Sequence, residues 1–89
     1  MILLVSYDLE VPGRDYVKLY EVLKSADGWW HHLKSTWIIS TTDSVNTWTE
    51  KIRAVMDEND RFIIVDITEK TNNGWLPKNA WEWINEHNK

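Results

Sequence analysis

Residues 2–9, Ile-Leu-Leu-Val-Ser-Tyr-Asp-Leu, are apolar on both parities, with Leu3, Val5 and Tyr7 on one face and Ile2 and Leu4 on the other. A strand of that kind belongs inside a sheet whose two faces are both covered, so it constrains every element that follows. Pro12-Gly13 breaks it. Tyr16, Leu19, Tyr20 and Leu23 then recur at i, i+3, i+4 and i+7, which predicts an amphipathic helix over residues 15–26, ended by Asp27-Gly28.

Tryptophan, threonine and isoleucine dominate the next stretch, and Lys34-Ser35 divides it into two short strands, 29–33 and 36–40. Thr42-Asp43-Ser44 offers capping side chains to a second helix, in which Val45, Trp48, Ile52, Val55 and Met56 keep helical spacing to near Asp57. A β-branched run at 62–67, with Ile63, Val65 and Ile67 on one face, predicts a fourth strand. After a loop with an Asn72-Asn73-Gly74 turn signal, Pro77 opens a short helix carrying Ala80, Trp81, Trp83 and Ile84.

The resulting order predicts an α+β fold: a ferredoxin-like βαββαβ arrangement with an antiparallel sheet, two helices on one face and an appended C-terminal helix. Right-handed crossovers place both internal helices on the same side. The other side is expected to be bare and sheltered by a second copy, which makes a homodimer the expected assembly. With 89 residues the chain holds one domain, 1–68 as core and 69–89 as C-terminal loop and helix.

Composition narrows the function. The absence of cysteine excludes disulfides, thiolate metal sites and cysteine nucleophiles, and suits a reducing, cytoplasmic setting. The apolar N-terminus is interrupted too soon by Ser6 and Asp8 for a signal peptide or a membrane span, so no membrane partner is expected. A net charge of −4 has the wrong sign for gripping long phosphate backbones, which leaves only local contacts with nucleic acid. Seven tryptophans are the one extreme, and they demand either core packing or recognition.

Tyr7-Asp8-Leu9, Pro12-Gly13-Arg14-Asp15-Tyr16, Leu19-Tyr20-Glu21, Trp29-Trp30-His31, Ser35-Thr36-Trp37-Ile38 and Asp60-Arg61-Phe62 resemble the SinR-like family of small uncharacterised bacterial and phage proteins. The helix-turn-helix repressor that shares the family's name is a different protein, and nothing in this chain reads as that motif. More remotely, the strand order and Tyr7-Asp8 are similar to the small CRISPR adaptation subunit and to VapD-type toxin ribonucleases, which are ferredoxin-like dimers. That resemblance implies magnesium-dependent endoribonuclease activity, with Asp8 as catalytic and metal-binding residue.

Carboxylates on Asp8 from two copies repel one another, and a hard cation such as Mg²⁺, which favours oxygen ligands and keeps waters, would relieve the repulsion. The alternative is that Asp8 caps the following loop through the amides of Glu10 or Val11. Asp15 reads as a first-turn helix acid and Glu10 as a solvated loop charge. Arg14 and Lys18, four residues apart on one helix face, can hold a short RNA, or are ordinary solvated charge.

His31 and His32 are adjacent on a strand, so their rings point to opposite faces and do not share a metal unless the strand is bulged; the one on the exposed parity is a general-base candidate, or else a surface or interface histidine. Trp37 and Trp48 fall on apolar stripes and belong to the core, whereas of Trp29 and Trp30 one faces in and the other out. Trp30 is the one assigned to an interface or to base stacking. Trp81 and Trp83 lie about 200° apart on a helix, so one of them requires a second surface, either a stacked base or a partner subunit. Phosphate-binding glycine loops and serine-histidine-aspartate patterns are absent. Two function classes follow: a magnesium-dependent endoribonuclease or RNA-binding protein, and a non-catalytic homodimeric module that binds a protein partner or small ligand.

Overall fold

The computed structural model describes residues 1–11 and 15–88. It contains β1 (Ile2–Asp8), α1 (Val17–Lys24), β2 (Gly28–Leu33), β3 (Thr36–Ser40), α2 (Val45–Arg53), β4 (Arg61–Asp66) and α3 (Lys78–His87). The four strands form one antiparallel sheet in the order β2-β3-β1-β4. Together they make a small α+β fold of four antiparallel strands and three helices, compatible with a ferredoxin-like arrangement. No helix among the described residues is long and apolar enough to cross a membrane.

Alternation along the strands sorts the side chains onto two faces. On the first, Leu3, Val5 and Tyr7 of β1 and Trp37 and Ile39 of β3 pack with Leu19 and Leu23 of α1 and Trp48 and Ile52 of α2. The large indoles are buried without loss of hydrogen bonding: Trp37 Nε1 donates to Tyr7 Oη at 2.9 Å, and Trp48 Nε1 to Thr41 Oγ1 at 3.0 Å. Among the described residues, no buried side-chain nitrogen or oxygen lacks a partner.

The second face corrects the expectation of a wholly bare sheet. Helix α3 lies across it, and Ile2, Trp30 and Ile38 pack with Ala80 and Ile84. A helix with Ala80, Trp81, Trp83 and Ile84 clustered in little more than one turn cannot leave its apolar surface in water, and the sheet supplies the nearest cover. Gly28 marks how closely the helix approaches, since a Cβ there would stand 3.3 Å from His87 Nε2.

Coverage by α3 stops partway along the sheet. The strand registers align Leu33, Thr36, Ser6 and Ile63 as one row across the second face, with Asp8 and Arg61 beyond it. Leu33 is 46% exposed, Ile63 60% and Val65 42%, so this end remains open.

Element boundaries shift where capping chemistry decides. Asp15 stays outside α1 and accepts from the Val17 amide at 2.9 Å, so the helix begins two residues later than its periodicity suggests. Ser44 caps α2 through the Thr47 amide at 3.1 Å, as its sequence position predicts. Past Arg53 the chain tightens, with Val55 and Met56 donating to Ile52 and Arg53, three residues back.

Candidate functional site

Asp8 ends β1 with an exposed carboxylate, on the parity of Ser6 and Leu4 and therefore on the open end of the second face. Its register partner on β4 is Arg61, whose Nη1 is turned back onto its own turn and donates to the carbonyls of Glu58 and Asp60 at 3.2 and 3.0 Å. Ser6, Tyr7, Asp8, Arg61, Phe62 and Ile63 line a shallow cleft of about 270 Å³. Chemically it offers one carboxylate across the strand pair from a guanidinium, with one exposed apolar side chain, Ile63, beside them.

The loop-capping alternative for Asp8 fails at Glu10. The Glu10 amide donates instead to Asp60 Oδ1 at 2.8 Å, and the same carboxylate accepts from Tyr16 Oη at 2.8 Å and, through Oδ2, from the Asp57 amide at 2.9 Å. Asp60, almost fully buried, thus ties the loop after β1, the start of α1 and the α2–β4 turn together. Sequence position gave no hint of this, because the amides it serves lie up to 50 residues away.

Arg14 lies outside the described residues, so the Arg14–Lys18 pairing is described only at Lys18, an exposed residue of α1. Among the described residues, no group of three or more His, Asp or Glu gathers where a metal ion could be held.

The tryptophans reassign themselves. Trp30, expected at an interface or stacked on a base, is only 2% exposed; α3 covers it, and its Nε1 donates to the Ala80 carbonyl at 3.2 Å. Trp29 is the outward member of the pair. Trp81 and Trp83 are both half-buried against the second-face core, and Trp83 stacks on His87 at 4.1 Å. His31 and His32 do point to opposite faces, the first stacking on Trp37 and the second meeting Trp30 edge-on.

Three features escaped the sequence reading. Trp75, in the loop before α3, is fully exposed. A second cleft of about 200 Å³ opens between the sheet, the 70–76 loop and α3, with Leu4, Trp30, Ile38, Leu76, Trp81 and Ile84 among its walls. A third, of about 360 Å³, lies on the first face at the free edge of β2, lined by Tyr20, Lys24, Trp29, His31 and Trp37. The i, i+2 spacing of Trp29 and His31 was the available signal for this last one.

Comparison of the chain with protein-family models, with curated proteins and with solved structures gives no match.

Proposed function

We propose that this chain is a ferredoxin-like interaction module that pairs with a second copy through the open end of its second face. The observation that carries the reading is the row Leu33–Thr36–Ser6–Ile63, continued by Val65: two exposed apolar ends flank a pair of half-buried hydroxyls on the part of the sheet beyond the α3 core. That pattern is self-complementary. A two-fold axis running along the strands sets Leu33 of one copy over Ile63 of the other, and the contact stays isologous. The order β2-β3-β1-β4, with α1 and α2 on one face, supports the ferredoxin-like βαββαβ assignment.

Sedimentation velocity tests this reading. The wild-type chain is expected to run as a dimer at micromolar concentration, and Ile63→Glu as a monomer with an unchanged far-ultraviolet spectrum, because that side chain is 60% exposed and outside both core clusters. A wild-type monomer at hundreds of micromolar overturns the proposal.

A second reading, metal-dependent RNA cleavage, is favoured by the position of Asp8 one row beyond the same strip. Pairing through the strip brings the two Asp8 carboxylates toward each other, and magnesium held between them would act as a Lewis acid on a phosphodiester. Asp8→Ala is expected to abolish magnesium-dependent cleavage of RNA by the purified protein while leaving the dimer intact. Equal cleavage by the mutant removes this mechanism without touching the dimer.

A further inference from the structure

The cleft at the edge of β2 has a construction that neither the dimer nor Asp8 uses. Its floor rests on Trp37, 1% exposed, whose Nε1 donates to Tyr7 Oη, so the indole backs the cleft from beneath and the surface a guest meets is supplied by the rings around it. His31 lies parallel to that indole, 4.0 Å away and within 15°. One imidazole face is taken by Trp37, and the exposure of His31 therefore belongs to its other face and edge. Tyr20 stacks with Trp37 from α1 at 6.1 Å, and Trp29 closes the side at 5.4 Å, tilted by 45° and 42% exposed.

Two polar features complete the site. Lys24 Nζ sits 5.1 Å above the Trp29 ring, on the lip of the cleft. His31 Nε2 lies 3.2 Å from the Lys34 carbonyl, which can only accept, so the proton is on Nε2 and Nδ1 is left as an acceptor in the neutral ring.

We propose that this cleft holds an unpaired nucleobase of a single-stranded nucleic acid, stacked on His31 and Trp29, with Lys24 meeting an adjacent phosphate. Planar aromatic walls select a planar guest, and a cation at the lip selects one that carries an anion beside the ring. An aliphatic peptide side chain satisfies the first demand poorly and the second not at all. The footprint is one or two nucleotides, which agrees with a chain of net charge −4 that cannot follow a long backbone. Stacking reads no particular base, so the site is expected to tolerate any sequence.

The site stands on the opposite face from the dimer strip, and the two proposals fail independently. Fluorescence anisotropy with a labelled oligouridylate at low salt tests this one, and an oligothymidylate of equal length is expected to bind within a few-fold. Trp29→Ala is expected to weaken binding about tenfold and Trp29→Phe to restore most of it, as loss and return of a stacking surface require. Lys24→Gln should reduce the steepness of the salt dependence by roughly one phosphate contact. Trp75→Ala, which removes an exposed indole elsewhere, and the dimer-breaking Ile63→Glu should both bind as wild type. No binding of either single strand, stronger binding of a duplex of the same length, or wild-type affinity in Trp29→Ala overturns the assignment.

Discussion

The two faces of this sheet are built from the same strands yet finished differently. On the first face, α1 and α2 pack Leu19, Leu23, Trp48 and Ile52 against Leu3, Val5 and Tyr7 of β1 and Trp37 and Ile39 of β3, and together they form one core cluster. On the second, one short helix reaches Ile2, Trp30 and Ile38 and stops, leaving Leu33, Ile63 and Val65 in water. A small domain has too little chain to cover both faces of a sheet. It completes one and leaves on the other a residue of apolar surface, where recognition is most readily built.

If the first face carries most of the stability, truncating it should cost most. Trp48→Ala removes a fully buried indole together with its bond to Thr41, and a loss of about 4 kcal/mol in urea denaturation is expected. For a domain of ordinary stability that loss removes much of the total. A loss no larger than that of the second-face variant described next would erase the contrast between the faces.

Ile84→Ala trims the core beneath α3, where the adjoining cleft gives the surroundings room to relax, and about 2 kcal/mol is expected. Because α3 is appended rather than threaded between strands, its amides should exchange with solvent faster in this variant while those of β1 and β3 stay protected. Equal deprotection of all three elements would show that the second face folds as one unit with the first.

The smallest effect separates the faces by pH. Burial pushes the Tyr7 phenol above its ordinary pKa of 10.0, against the lowering effect of the Trp37 hydrogen bond, and Tyr20 adds to the rise. The folded chain therefore favours the protonated phenol. Its contribution to stability is complete below pH 10 and is lost as pH rises through the raised value, because the unfolded chain ionises first. Thermal melts of the wild type should fall in this alkaline window, and Tyr7→Phe, whatever its overall stability, should show a flatter decline.

Much of the architecture was legible because periodicity is local. The alternation of Leu3, Val5 and Tyr7, the helical spacing of Leu19, Tyr20 and Leu23, and the Ser44 cap each specify an element within a few residues, and all three appear in place. Trp37 and Trp48 were identifiable as core for the same reason. The candidate site was less legible. Asp8 stands exposed at the end of β1, as its position implies, but its capping role at Glu10 belongs to Asp60, and Trp30 exchanged roles with Trp29.

By itself, then, the sequence determined which residues of each strand and helix share a face, because that depends only on the 2.0 and 3.6 residue repeats of the backbone. Tertiary structure alone decided what each face meets. Trp30 is buried under α3, whose Ala80 lies 50 residues away and accepts its N–H, and the Trp29–His31–Trp37 cleft forms where β3 brings Trp37 against His31 and α1 brings Tyr20 and Lys24 to the edge of β2. Contacts between residues so far apart along the chain follow from how helices and strands fill space together, which no short window of sequence contains.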